Sequence, residues 1–285
     1  MKKLFLSFVM MLTASIAAWA DYVEQGGLRF YLYDSTPKYA EVEAPESGSY
    51  SGEINIPSVV SSGGEDYLVK YIGSNAFKES AVTKVTIPSS VTDILNSAFE
   101  GCASLTEVNL SEGLEQIGAY AFEHSAVTSL TIPGTVTTIG VYAMEGMASL
   151  TKLTFAYGTE ELALDGNVFN GTNNVTELVI DRYYTFGNGN GISYNTVKKV
   201  TFGEHLTTIP KSVCQGMSLN ELNVGANVTA IDRYAFEDCT LPEGYNFPFT
   251  QIKEIKEGAF YHQKPASQPR PVGRGDHREY GLRQL

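Results

Sequence analysis

The sequence predicts a β-rich solenoid, a stack of short coils with a parallel β-sheet along one face. The first observation is a register. Isoleucine recurs as Ile72, Ile94, Ile117, Ile139, Ile209, Ile231 and Ile255, mostly at steps of 22 or 23 residues. An apolar residue, most often aromatic, follows five places later: Phe77, Phe99, Phe122, Phe169, Phe236 and Phe260, with Met144 and Cys214 as substitutes. The second observation is a strand signature in the other half of each unit, spaced apolar-x-x-apolar-x-apolar. It reads Val82, Val85, Ile87; Leu105, Val108, Leu110; Val127, Leu130, Ile132; Leu150, Leu153, Phe155; and Leu219, Leu222, Val224. A unit this short cannot bury its own apolar side chains, but stacked copies align each column with the next coil's and bury it.

Taken in order, residues 1–20 open with Lys2 and Lys3, continue as an apolar run and end in Ala18-Trp19-Ala20. Small residues at both recognition positions predict a secretory signal peptide cleaved near Ala20. Residues 21–70 lack the period but alternate: Leu28, Phe30 and Leu32 interleave with Arg29, Tyr31 and Tyr33. They are expected to form an N-terminal β-hairpin cap that covers the open end of the stack. Within it, Glu53–Pro57 copies Lys84–Pro88, so the cap should enter the solenoid in register.

Residues 71–262 are the predicted solenoid. Small Ala76, Ala98, Ala121, Ala143, Ala235 and Ala259 leave room for the ring column beside them. Cys102, Met147, Met217 and Cys239, or Ser80 and Ser125, should form a buried column of small or soft side chains. A second apolar pair spaced by three, as in Val91 and Ile94 or Leu114 and Ile117, follows the strand. Pro88, Pro133 and Pro248 stand directly after it, where a missing N–H ends the ladder without loss. Residues 181–195 lose the pattern and are expected to protrude as a loop. Residues 263–285 change abruptly to Arg, Pro and Gln in mid-unit, which predicts a non-repeat, disordered tail read from a shifted frame.

These columns resemble the BspA-like leucine-rich repeats of the Treponema pallidum type, whose signature is close to IGxxAFxxCxxLxxVxIPxxVxx, over roughly residues 53–263. The resemblance implies a leucine-rich-repeat-like right-handed coil with a parallel sheet face. It also implies a secreted or surface protein of a host-associated microbe.

Composition excludes several functions. The chain carries a net charge of −12; two lysines in the signal and a net +3 after His262 leave −17 on residues 21–262. A body so acidic is not expected to bind nucleic acid, and bare anionic lipid would repel it. No segment of the mature chain is long and apolar enough to span a membrane. Three cysteines without metal spacing predict buried thiols, a Cys214–Cys239 bridge being the alternative. His124, His205, His262 and His277 have neither a carboxylate nor a second histidine at ligand spacing, and Gly187-Asn188-Gly189-Asn190-Gly191 lacks the spacing of a dinucleotide loop. The sequence therefore predicts no enzyme, no metal and no cofactor.

The informative exposed positions are the outward strand residues, which stacking places side by side about 4.8 Å apart. One column, Glu53, Lys84, Glu107, Ser129, Lys152, Glu177, Lys199 and Glu221, nearly alternates in sign. Its neighbour is polar or β-branched: Asn55, Thr86, Asn109, Thr131, Thr154, Val179, Thr201, Asn223 and Asn246. Such ladders stabilise a sheet by themselves. A flat polar array is also how repeat proteins present extended binding faces. The candidate ligand-binding residues are Lys84, Thr86, Glu107, Asn109, Lys152, Thr154, Glu177, Lys199, Thr201, Glu221 and Asn223. The expected function is noncovalent binding of a protein or glycan at the cell surface, as in adhesion or host interaction. The alternative is a passive structural or spacer module.

Overall fold

A computed structural model describes residues 22–186 and 196–262. The expected signal peptide, the tail and the GNGNG stretch lie outside the described residues. The chain begins with six strands: β1 (Tyr22–Gln25), β2 (Leu28–Tyr33), β3 (Tyr39–Glu43), β4 (Ser51–Asn55), β5 (Val59–Ser62) and β6 (Glu65–Ile72). Strands β1, β2 and β3 are antiparallel, and β3 then runs parallel to β6. Gly26 and Gly27, at φ 61° and 79°, make the β1–β2 turn, a left-handed pair that glycine adopts at no steric cost. Alternation in β2 buries Leu28, Phe30 and Leu32 and turns Tyr31 and Tyr33 outward. The Gln25 amide reaches the β5 backbone, donating to Val59 O and accepting from Ser61 N.

From here two stacks of parallel strands run along the molecule. On one side β4, Ala81–Thr86 and Glu107–Asn109 form a three-stranded sheet. Ser129–Ile132, Lys152–Phe155, Glu177–Ile180, Lys199–Phe202 and Glu221–Val224 follow as a five-stranded one. On the other side β6 is followed by the short strands Asp93–Ile94, Gln116–Ile117, Thr138–Ile139, Leu162–Leu164 and Tyr184–Phe186. A separate sheet of Thr208–Ile209, Ala230–Ile231 and Glu254–Ile255 completes that side. The entry register is as the sequence predicts: Glu53 pairs with Lys84, Ile54 with Val85 and Asn55 with Thr86. The described residues form a β-solenoid with almost no helix among them, a single 3-10 turn at Phe249–Gln251.

The core lies between the stacks. Phe77, Phe99 and Phe122 stack nearly parallel, at 4.9 and 5.2 Å between centroids, and Tyr50 closes this spine 5.0 Å from Phe77. The Tyr50 hydroxyl accepts from Arg29 N and donates to Glu43 O, so the end ring is pinned to two strands. Phe236 belongs to a different stack. Sequence position alone aligns it with the first three rings, but Met144, Phe169 and Cys214 intervene, and Phe236 stacks on Phe260 at 5.2 Å. The small-residue column is buried as expected at Ser80, Cys102, Ser125, Met147, Met217 and Cys239, and all three cysteines are free thiols.

Residues 181–186 correct the reading of 181–195 as a protruding loop. Arg182 and Tyr184 are 2% and 3% exposed, and Tyr184–Phe186 pairs in parallel with Leu162–Leu164. Backbone register places Leu164 and then Phe186 in the isoleucine position, since Ile139 pairs with Leu164 and Leu164 with Phe186. The coil persists because its backbone hydrogen bonds are made to the coil before it, whatever side chain fills the slot. Arg182 Nη1 donates to the carbonyls of Gly134 at 3.0 Å and Val136 at 2.8 Å, and Nη2 donates to Glu160 O. Close stacking also explains the glycine after the isoleucine: a Cβ on Gly118 would lie 2.8 Å from the backbone of Asn96.

Candidate functional site

In each strand of the first stack the apolar residues point inward, so Glu107 and Asn109 flank buried Val108 on the outer face. Parallel pairing then sets equivalent residues in rows. Lys84 lies beside Glu107; Lys152 beside Glu177; Glu177 beside Lys199; and Lys199 beside Glu221. All form ion pairs: Lys84–Glu107 at 2.8 Å, Lys152–Glu177 at 3.2 Å, Lys199–Glu177 at 3.8 Å and Lys199–Glu221 at 3.3 Å. Asn109 donates to Glu107 at 3.1 Å, and Asn223 donates to Glu221 at 2.8 Å. The ammonium of Lys84, with the Asn109 amide, holds the Glu107 carboxyl below the usual carboxylate range. For Glu221 the Asn223 amide is the larger cause and Lys199 the second.

Thr86 sits between Asn55 and Asn109, Thr154 between Thr131 and Val179, and Thr201 between Val179 and Asn223. The eleven candidates do not form one continuous field. Strand Glu107–Asn109 does not pair with Ser129–Ile132, so Lys84, Thr86, Glu107 and Asn109 make one block and the other seven a second. The two are joined beside the face by Thr128 N donating to Thr106 O at 3.2 Å. Asn246, expected to extend the polar column, lies outside any strand, so that column ends at Asn223.

A threonine column just before the strands was absent from the sequence reading. Thr106, Thr128, Thr151 and Thr176 each direct a hydroxyl to the carbonyl of Thr83, Thr106, Thr128 and Thr151 in the preceding coil. Its signal was the same 22- to 25-residue recurrence, one column over.

The histidines also differ from expectation. His205 Nδ1 lies 2.8 Å from Asp181, His124 is 3.7 Å from Glu123 and His262 is 3.8 Å from Asp238. Asp181 and Asp238 each belong to the preceding coil, a neighbour that linear spacing does not reveal. The His205 ring packs on Tyr157 at 4.2 Å. Among the described residues, no group of three or more His, Cys, Asp or Glu is arranged to hold a metal, and no helix is long and apolar enough to cross a membrane.

Comparisons with known proteins point to one repeat family. A family model described as BspA type leucine rich repeat region matches residues 70–190 and 167–268, in 6 copies. A leucine-rich repeat protein from Bacteroides capillosus ATCC 29799 is 31% identical over 47% of this chain and 96% of its own, with a TM-score of 0.41. One from Bacteroides ovatus ATCC 8483 is 21% identical over 85% and 92%, TM-score 0.37. The T. pallidum leucine-rich repeat protein is 18% identical over 78% and 89%, TM-score 0.46. No curated protein matches the chain. The family model spans well over half the sequence, and its repeat coincides with the coils seen in the strand register: the chain belongs to the BspA-type leucine-rich repeat family.

Proposed function

We propose that this protein is a noncovalent binding module, secreted or held at the cell surface, that engages a protein or glycan partner through the outward strand face. Residues 1–20 are then a cleaved signal, 21–70 a cap and 71–262 the binding solenoid. The observation that carries the reading is the block Lys152, Glu177, Lys199 and Glu221 with Thr154, Thr201 and Asn223. Its side chains are held in rows by pairing across coils, and such pre-set arrays lose little entropy when a partner docks. Two lysines and two glutamates cancel in charge, so the partner need not be strongly charged to fit this face.

A second reading, a spacer without a ligand, is favoured by one specific observation: every charged group in that block already has an ion-pair partner within the block. The test must change the face without breaking the ladder. Exchanging Lys152 and Glu177 alone would not do so, because Glu177 also bridges Lys199 and the exchange would set two lysines side by side. Reversing all four together, Lys152→Glu, Glu177→Lys, Lys199→Glu and Glu221→Lys, keeps every neighbour opposite in sign. The purified chain is screened against matrix proteins and glycans, and hits are retested with the reversed variant. Loss of a hit with an unchanged melting temperature supports the binding face. Hits that all survive the reversal reject it, and no hits at all favour the spacer.

A further inference from the structure

The N-terminal strands carry a surface that the repeat face does not include. Five tyrosines touch ring to ring from β1 to β6: Tyr22–Tyr31 at 5.0 Å, Tyr31–Tyr33 at 4.7 Å, Tyr33–Tyr39 at 4.4 Å and Tyr39–Tyr71 at 5.3 Å. The core does not require them. Phe30, Val42 and Ile72 fill the inward side of the same strands at 0% exposure, while Tyr22 is 42% exposed. The apolar surface continues into Leu68 and Val59, register partners that are each 38% exposed.

Carboxylates outnumber cations along the paired strands β2 and β3, Glu41 and Glu43 against Arg29. Glu41, only 8% exposed beneath the rings, pairs in register with Tyr31 and Tyr71, and it accepts from the Tyr33 hydroxyl at 2.8 Å. Glu43 lies two residues on. Neither takes part in an ion pair among the described residues. Burial and then the Glu41 charge push the Glu43 carboxyl up, and the charge of Arg29, its register partner on β2, offsets only part of that rise. The guanidinium of Arg29, which pairs in register with Glu24 and Glu43, lies 3.8 Å from the centroid of Tyr22.

We propose that this ribbon is a docking surface for an arginine-rich segment of a partner protein, its guanidinium groups lying on the tyrosines within the field of Glu41 and Glu43. Charge complementarity decides for this occupant. An anionic glycan would be repelled by the carboxylates, and a neutral one would gain from the rings while leaving their field uncancelled. A guanidinium gains from both, as Arg29 on Tyr22 illustrates. The inference does not depend on the strand-face reading, since the two surfaces belong to different strands and share no residue.

Fluorescence anisotropy of the purified full chain with labelled octa-arginine, labelled octa-lysine of equal charge, and labelled cellohexaose as a neutral control tests it. Octa-arginine should bind more tightly than octa-lysine, and cellohexaose should not bind. Tyr22→Ser with Tyr31→Ser should weaken octa-arginine about tenfold, the scale of one or two cation–π contacts. Glu43→Gln should weaken it as well, without truncating any ring. The fourfold reversal on the repeat face should leave it unchanged, so failure here and failure of the strand-face proposal are separable. A thermal melt checks each variant; if the double tyrosine variant does not fold, Glu43→Gln and the arginine-over-lysine preference decide. Equal binding of both peptides, indifferent to these changes, would mean only the diffuse field of the acidic body and overturns the proposal. Binding of cellohexaose in place of the peptides also overturns it.

Discussion

Phe99→Ala is the sharpest probe of the ring spine. Phe99 is fully buried and is stacked on both sides, by Phe77 at 4.9 Å and Phe122 at 5.2 Å, each at an interplanar angle of 6°. Removing it deletes a fully buried phenyl group from a slot that cannot collapse, because backbone hydrogen bonds such as Phe77 N to Ala98 O and Phe99 N to Ala121 O hold the coils at their spacing. Truncations of this kind cost about 3–5 kcal/mol, and a ring flanked by two others belongs at the upper end. For a chain of this size about 4 kcal/mol lowers the melting temperature by roughly 8–16 °C. Phe260→Ala, at a half-buried ring with one parallel partner, should cost less. Both variants would be followed by calorimetry and by urea titration. Equal shifts, or a Phe99→Ala melt within a degree of wild type, would refute the argument that Phe77, Phe99 and Phe122 form a tightly packed spine.

Arg182→Met should destabilise by about 3 kcal/mol, since the side chain that serves three buried carbonyls and the part-buried one of Glu160 vanishes while its volume stays nearly filled. A urea midpoint equal to wild type would show that those bonds are dispensable. Burial pushes the Cys102, Cys214 and Cys239 thiols up, Cys239 to about 12, so none should react with a thiol reagent at pH 8 until the chain unfolds. Rapid native labelling of any one of them would contradict the core assignment. The same shift has a pH consequence with a definite sign. A thiol whose folded-state pKa is raised favours the native state below the unfolded value, and that contribution is lost as pH rises from 9.0 towards about 12. The loss of stability across that window should be shallower in Cys239→Ala than in wild type; identical slopes would mean the thiol titrates alike in both states.

The sequence by itself determined the features that repeat. Ile72, Ile94 and Ile117 with Phe77, Phe99 and Phe122 state the coil period directly, because each coil buries the same positions against its copy. The rows Lys84–Glu107 and Lys152–Glu177 follow from that period and the two-residue alternation of a strand. Tertiary structure decided what depends on pairing between dissimilar segments. Tyr184–Phe186 stays in the ladder without the repeat signature, because the preceding coil supplies its hydrogen-bonding edge. The break between Glu107–Asn109 and Ser129–Ile132 is a matter of strand spacing that side-chain order does not encode. The tyrosine ribbon is the furthest from legible. Tyr22, Tyr31, Tyr33, Tyr39 and Tyr71 lie on four strands, and they meet only because β1, β2 and β3 fold antiparallel before β3 joins β6 in parallel, with a register shift after Ala40. Local alternation sets which face each ring occupies, whereas only the long-range register, fixed by burying Phe30, Val42 and Ile72 behind them, sets which rings touch.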